Sequence, residues 1–257
     1  MTTFGKIVMV LAVAPAVMAL AVFSGAMDGA ARAAAPGGGR AGRGAAPADT
    51  GPRSLAPYFT PATTGAKVPD ADGFLQRWLL LEPISNNLRT NTGFNATFVA
   101  DAIKTQNFPT QFTNVPKDGD KVTLSGQALA WHALDAADFN VKLFRFAYGL
   151  RKPEYGILCF AITVVESPRE LRDVRLAVGS NSASMWWVNG KLAVELYGDR
   201  RMVMDDGVSK RFTLKQGPNI IHGAVINGPG MSDFCARFID EQGQPVKDIA
   251  VNLGAAQ

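Results

Sequence analysis

Alternation of apolar and polar side chains with a period of two residues is the feature that most constrains how this chain can fold. It runs through most of the sequence after residue 70. The longest example is YGILCFAITVVESP at 155–168, where one face carries Leu158, Phe160, Ile162 and Val164. Turn signals separate such runs about every ten residues, and Asn189-Gly190 is typical of a tight β-hairpin. The only stretch with helical spacing, 96–104, is short. The sequence therefore predicts an all-β antiparallel β-sandwich.

The first 33 residues have the layout of a secretory signal peptide. Lys6 precedes an unbroken apolar run, Ile7 to Phe23, and small residues follow at 24–26 and 31–33. The run also reaches the lower limit for a spanning helix, so an uncleaved membrane anchor is the alternative. Both interpretations place the rest of the chain outside the cytoplasm, secreted or periplasmic, with membrane contact only through an uncleaved leader.

Residues 34–69 are dominated by Ala, Gly, Pro and Arg, and this composition predicts a disordered tether before a folded domain at 70–257. The division between tether and domain matters for the net charge, because the excess of basic residues lies before the domain. The whole chain has 26 basic and 22 acidic residues, but after residue 69 the balance is 20 against 20. A neutral domain without a basic run does not favour a nucleic-acid partner.

Five segments of the domain follow one another in a familiar order: GFLQRWLLLEPI (73–84), YGILCFAITVVESP (155–168), GSNSASMWWVNG (179–190), TLKQGPNIIHGAVINGPG (213–230) and FCARFIDEQGQP (234–245). Their order over about residues 72–248 resembles the galactose-binding-like jelly-roll modules attached to secreted bacterial glycoside hydrolases and carbohydrate esterases. The resemblance implies a jelly-roll sandwich. It departs from the family at Asn181 and Ser182, which replace paired acids, and this weakens any cation or hydroxyl contact there.

The function that the resemblance implies is that of an exported, non-catalytic carbohydrate-binding or carbohydrate-associated module, with a poly- or oligosaccharide as partner. The alternative is a structural or assembly sandwich that docks onto another cell-envelope protein and binds no sugar. An enzyme is disfavoured because the sequence has no G-x-S-x-G elbow and only two histidines. His222 lies on a mostly apolar strand face, which favours a structural role, and His132 beside Trp131 either lines a groove or packs in the core.

A sugar site needs an aromatic side chain beside planar polar groups, and one part of the sequence offers that mixture. The candidate ligand-binding residues are Asn181, Trp186, Tyr197, Arg200, Arg201, Asp205 and Asp206. Several lie in the polar connection YGDRRMVMDDG, since binding residues concentrate on such loops. A solvated loop with surface ion pairs fits the same residues. The resemblance places Trp187 at the family's buried tryptophan, which leaves Trp186 on the other face as the candidate sugar-stacking residue.

Two further chemistries stay open. Export makes a disulfide between Cys159 and Cys235 plausible, but two thiols packed as small apolar groups fit equally well. No cofactor is predicted apart from a structural calcium ion, which jelly-roll modules often carry and which needs six to eight oxygen ligands. Its weak candidates near strand ends are Asp70, Asp72, Asp233 and Asp240, and none has the spacing of a calcium loop. Solvated turn residues are the other interpretation of these aspartates.

Overall fold

The computed structural model describes residues 51–85, 115–124, 126–198, 200–228 and 230–253. The predicted leader at 1–33, the tether up to residue 50 and the stretch with helical spacing at 96–104 lie outside the described residues. The compact unit to which the described residues belong spans residues 49–257.

The described residues form short strands and one helix. The strands are β1 (Phe59–Pro61), β2 (Arg77–Leu81), β3 (Ile84–Ser85), β4 (Lys121–Leu124), β5 (Gln127–Ala136), β6 (Ile157–Ser167), β7 (Leu171–Ser180), β8 (Ala183–Val188), β9 (Lys191–Leu196), β10 (Gly207–Val208), β11 (Phe212–Leu214), β12 (Gly217–Asn227), β13 (Phe234–Ile239) and β14 (Ala250–Val251). The helix is α1 (Leu143–Gly149). Within the described ranges no helix is long and apolar enough to cross a membrane.

All strand pairs are antiparallel, and they form two sheets. The larger sheet has the order β1-β5-β2-β6-β12-β8-β9, with β3 and β14 also paired to β6 and β4 paired to β5. In the smaller sheet β7 is central, with β10 and β11 along it and β13 also paired to it. The predicted all-β antiparallel sandwich is confirmed.

The core between the two sheets contains aromatic side chains from both. Trp78 of β2 and Trp186 of β8 belong to the larger sheet, and both rings contact Phe234 of the smaller sheet, with centroids 5.0 and 5.1 Å away. Alternation along β13 brings Ala236 and Phe238 to the same side as Phe234. This burial of aromatic surface from both sheets holds the sandwich together.

The larger sheet is buried on its outer face as well. Leu79, Trp131, Phe160 and Trp187 belong to a second apolar cluster there, separate from the core between the sheets. Because both faces are buried, β2 has no exposed residue, and its sequence RWLLL reads as a continuous apolar run after Arg77.

The structure corrects the prediction made for the adjacent residues Trp186 and Trp187. Alternation does put them on opposite faces, as expected. However, Trp186 is the one in the core between the sheets, with 0% of its surface exposed, and its indole Nε1 donates a hydrogen bond to Ser184 Oγ at 3.0 Å. Trp187 is 8% exposed and lies in the outer cluster. Trp186 is therefore covered, and its prediction as a sugar-stacking residue is wrong.

The folded domain begins before residue 70, so the predicted tether is too long at its C-terminal end. In β1, Phe59 pairs with Ala136 and its ring is buried 6.2 Å from that of Phe146. Lys67 forms an antiparallel bridge with Val251. The composition of 51–69 is rich in Pro and Gly, but Leu55, Tyr58 and Phe59 supply the apolar contacts that order it.

The two cysteines are free thiols, contrary to the disulfide alternative. Cys159 lies on β6 and belongs to the core between the sheets. Cys235 lies on β13 of the smaller sheet, between the inward-facing Phe234 and Ala236, so its side chain points to the outer face. The two side chains thus come from different sheets and do not face one another. Burial raises the pKa of each thiol to about 12.

Candidate functional site

A cleft of about 650 Å³ lies at one end of the sandwich. It forms where β7 ends and β8 begins, where β12 ends, and just before β13 begins. The connection between β9 and β10 supplies the remaining side. The lining residues are Asn140, Asn181, Ser182, Arg200, Arg201, Met202, Asn227, Gly230, Met231 and Asp233. The lining combines amide, carboxylate and guanidinium groups with two methionines.

Asp233 and Asn181 tie two strand ends together beside the cleft. The backbone N–H of Asn181 donates to the carbonyl of Asp233, and the N–H of Asp233 donates to Asn181 Oδ1, both at 3.0 Å. Ser182, which follows, has a φ of +51°, and its N–H donates to the carbonyl of Arg200 at 3.1 Å. This turn therefore joins β7, β13 and the β9–β10 connection at one point.

Asp233 is largely buried, with 9% of the residue's surface exposed. Asn140 Nδ2 donates to its Oδ2 at 3.1 Å. Burial raises the pKa of this carboxyl, while the hydrogen bond from Asn140 and the positive charges of Lys142 and Arg145 lower it. A carboxylate at this depth is energetically costly unless its oxygens are well paired, so its position calls for an explanation in terms of function or of further partners.

Two buried polar atoms of the cleft residues have no hydrogen-bond partner in the described part of the chain. They are Asn140 Oδ1, an acceptor on a side chain that is only 8% exposed, and Arg200 Nε, a donor. Buried polar groups in native proteins are rarely left unpaired. One acceptor and one donor are thus available at a cleft large enough for a small polar molecule.

The two arginines of the cleft differ in their own contacts. Arg200 Nη2 forms an ion pair with Asp206 Oδ2 at 2.6 Å, and its Nη1 donates to the carbonyl of Tyr197 at 3.4 Å. Arg201 is exposed, and within the described ranges it makes no ion pair. Arg200 is therefore held in place, whereas the guanidinium of Arg201 is available.

The connection from β9 to β10 lies against the outer face of the smaller sheet. Met202 Sδ is 3.7 Å from Cys235 Sγ, and Arg237 Nε donates to Asp205 Oδ1 at 3.0 Å. At Gly179 the backbone of Val203 passes so close that a Cβ would come within 2.8 Å of the Val203 carbonyl carbon. The described part of this connection thus touches the sheet at Met202 and Asp205, whereas Val203 and Met204 are exposed. It carries ion pairs to Asp205 and Asp206, so a solvated loop with surface ion pairs remains the alternative interpretation.

The structure brings together only part of the predicted ligand set. Asn181, Arg200 and Arg201 line the cleft, and Asp206 contacts Arg200. Asp205 instead pairs with Arg237.

Two predicted ligand residues lie away from the cleft. Tyr197 packs beside the outer cluster and donates its hydroxyl to Glu195 Oε1 at 2.7 Å, and partial burial together with that contact raises its pKa to about 12. Trp186 is in the core.

Sequence reasoning missed Asn140, Asn227 and Met231, and it considered Asp233 only as a calcium candidate. Asn227 ends β12, where its Nδ2 donates to the carbonyl of Gly230 at 2.8 Å and closes the turn. The available signal was position: Asn227 and Asp233 flank the Gly-rich turn between two predicted strands. Nothing in the alternation could place Asn140 beside them, because its contact with Asp233 spans 93 residues.

The other aspartates weighed as calcium ligands shape turns. Asp70 Oδ1 accepts the N–H of Phe74 at 2.8 Å, and Asp240 Oδ1 accepts the N–H of Gln244 at 2.7 Å. The carbonyl of Asp72 accepts from Arg237 Nη1 at 2.8 Å. In the described ranges no three His, Cys, Asp or Glu side chains are grouped so that they could hold a metal ion. A calcium ion at Asp72 or Asp240 stays a prediction.

The histidines match structural roles. His222 of β12 is buried on the outer-cluster face of the larger sheet, and burial lowers its pKa to about 4. His132 Nε2 lies 3.4 Å from Glu82 Oε1, and Lys152 Nζ forms an ion pair with the other oxygen of Glu82 at 2.9 Å. Neither histidine lines the cleft.

No family model matches the sequence, and no curated protein matches it. Among solved structures it is similar to a PA14 sugar-binding domain from an RTX adhesin, with 14% identity and a TM-score of 0.39 over 67% of this chain and 95% of that one. The PA14 domain of the antifreeze protein MpAFP gives 9% identity and a TM-score of 0.39 over 77% and 98%. A β-glucosidase from Kluyveromyces marxianus in complex with glucose is 12% identical, with a TM-score of 0.35. That similarity covers 73% of this chain and 19% of the β-glucosidase chain. At these values the likeness assigns no role to any residue here.

Proposed function

We propose that this chain is a non-catalytic carbohydrate-binding domain and that the cleft around Asp233 is its sugar site. The observation that carries the proposal is the clustering of Asn140, Asn181, Arg201 and Asp233 at one cleft, with a buried acceptor and a buried donor unpaired beside it. The RTX adhesin domain binds sugar, but its likeness to this chain is too low to support the proposal. The galactose-binding-like resemblance of the sequence remains part of the proposal.

The chemistry of the cleft suits sugar hydroxyls. Each hydroxyl both donates and accepts, so a site for several of them needs donors and acceptors side by side. Asp233 supplies acceptors, Arg201 supplies donors, and the amides of Asn140 and Asn181 supply both. Met231, whose side chain is exposed at the rim, offers a polarisable surface for the C–H groups of a sugar ring.

Export to the periplasm or beyond is part of the same proposal, since a glycan partner lies there. Docking onto an envelope protein without sugar remains the alternative prediction from the sequence. Sugar binding and docking onto an envelope protein predict different roles for Arg201. Only a cleft that binds a glycan needs the guanidinium of Arg201 as a hydrogen-bond donor to the ligand.

The test is retention of the protein on a panel of neutral and acidic polysaccharides, followed by titration calorimetry with the best one. Arg201→Ala removes an exposed side chain without a described partner, so folding is expected to be unaffected. We expect it to weaken binding about tenfold, the effect of losing one charged hydrogen-bonding group.

Arg172→Ala is the matched control, because Arg172 is also an exposed arginine but lies at the opposite end of β7. It should bind like the wild type. Failure of the wild type to be retained by any glycan would overturn the proposal, and so would equal binding by the Arg201→Ala protein.

A further inference from the structure

Tyr155 is the most exposed aromatic side chain among the described residues, at 52%. Its ring packs against that of Phe144 of α1, with centroids 5.6 Å apart and planes inclined by 54°. Tyr155 lies two residues before the start of β6, and about half of its surface is exposed to solvent. We call this pair the aromatic platform.

The aromatic platform adjoins the cleft through the stretch of chain that carries Asn227, Met231 and Asp233. Next to Tyr155, the N–H of Gly156 donates to the carbonyl of Gly228 at 3.3 Å. From the other member of the pair, the N–H of Phe144 donates to the carbonyl of Ser232 at 3.0 Å. Both aromatic residues are therefore anchored to the segment that also lines the cleft.

Arg145 provides a second connection between the aromatic platform and the cleft. Its guanidinium carbon lies 5.8 Å from the centroid of the Phe144 ring, and its charge lowers the pKa of Asp233 against the larger effect of burial. The same group lies over the Tyr58 ring at 4.7 Å, which fixes its position. The platform and the buried carboxylate are thus near neighbours on one end of the molecule.

We infer that the binding site continues from the cleft over Met231 onto Tyr155, so that its ligand is a glycan chain of at least two sugar units and not a single sugar. The inference rests on the proposed function, since it assigns a second subsite to the same ligand. The cleft recognises hydroxyls through polar groups, and the platform offers a flat apolar surface to the C–H face of another sugar.

Tyr148 is the internal comparison for this assignment. It is the other exposed aromatic among the described residues and lies on α1, but the guanidinium of Arg53 is stacked over its ring at 4.0 Å. Its face is already occupied, whereas among the described residues no cation lies over the ring of Tyr155, which is 52% exposed. Tyr148 and Tyr155 therefore differ in the accessibility of the ring, which stacking on a sugar requires.

The experiment measures affinity for a series from monosaccharide to long oligosaccharide of whichever glycan the wild type retains. We expect affinity to rise when the chain becomes long enough to reach Tyr155. Tyr155→Ala should abolish that rise, a loss of about tenfold for the longer chains, and leave monosaccharide binding unchanged. Tyr155→Phe should keep the full affinity, and Tyr148→Ala should behave like the wild type.

The outcomes separate the two proposals. If the wild type binds a glycan but affinity does not depend on chain length, or Tyr155→Ala does not alter it, the second subsite is wrong and the proposed function stands. If the wild type binds no sugar of any length, both fall. Equal losses for Tyr155→Ala at every length, together with a lowered melting temperature, would show a purely structural tyrosine and overturn the inference.

Discussion

The indole of Trp186 lies over Gly223, its direct partner across the β8–β12 pair. A Cβ added to Gly223 would come within 2.7 Å of the ring carbons Cε3 and Cη2. The absence of a side chain at this position makes room for one of the two tryptophans of the core between the sheets.

Gly223→Ala is therefore expected to destabilise the fold. Alanine in a strand would by itself gain about 0.5–1 kcal/mol over glycine, but displacing a buried indole costs about 1–3 kcal/mol, so the loss should dominate. Urea denaturation measures the difference. Gly65→Ala is the control, because a Cβ there meets nothing within 4 Å, and it should change stability by less than about 0.5 kcal/mol. A Gly223→Ala protein as stable as the wild type would contradict this packing.

His222 should make stability depend on pH. Burial lowers its folded-state pKa to about 4, whereas in the unfolded chain it returns to about 6.5. Between these values the unfolded state binds more protons, so the free energy of unfolding should fall by about 3 kcal/mol as the pH drops from 6.5 to 4. Denaturation curves recorded at several pH values test this. Replacement by leucine should remove that part of the slope, and an unchanged slope would show that other groups cause it.

The two thiols should be inert in the folded protein and reactive after unfolding. Burial raises both pKa values to about 12, so the thiolate is scarce near neutral pH. A maleimide reagent should label neither cysteine of the native protein and both after denaturation without reductant. Denatured, unreduced protein that stays unlabelled would mean that Cys159 and Cys235 are bonded after all.

Asp233→Asn should stabilise the protein while weakening glycan binding. Burial raises the pKa of this carboxyl in the folded state, so ionisation opposes folding, and the stabilising effect of the variant should grow as the pH rises through the carboxyl's titration range. An amide of the same shape removes the buried charge and can still accept from Asn140. Thermal unfolding and calorimetry measure the two effects.

Asp138→Asn is the control for that experiment. Its carboxylate is exposed and, among the described residues, accepts only the N–H of Phe139, so both stability and binding should stay close to those of the wild type. Loss of stability in Asp233→Asn at neutral pH would show that the ionised carboxylate is stabilising and would contradict the assignment of Asp233 as a costly binding residue.

The fold class could be predicted because alternation and turn residues act locally. The strands around Leu158 and Asn189-Gly190 need only neighbouring residues to be recognised. Which tryptophan faces the core between the sheets could not be predicted, since both faces of the larger sheet are buried and both carry apolar side chains. That is why Trp186 was placed on the wrong side. Phe59 was missed because a Pro- and Gly-rich composition concealed its few apolar anchors.

The candidate site was only half predictable for a related reason. Arg200 and Arg201 lie in one dense polar loop, and Asn181 precedes that loop within the same polar stretch of sequence. Asn140 and Asp233 reach the cleft through contacts between distant segments, which depend on how β13 and the segment before α1 meet. Sequence periodicity carries no information about which distant segments come into contact.

The close approach of Val203 to Gly179 bears on the kinetics of binding. Arg200, Arg201 and Met202 precede a backbone segment that lies directly on the smaller sheet, so we expect this described part of the cleft wall to keep its position when a ligand binds. Glycan association should therefore occur in a single phase whose rate rises linearly with ligand concentration, with no slow isomerisation step. Different sugars should then bind with different affinities mainly because they dissociate at different rates. Those rates would depend on how well each sugar fits a cleft that is already formed in the free protein.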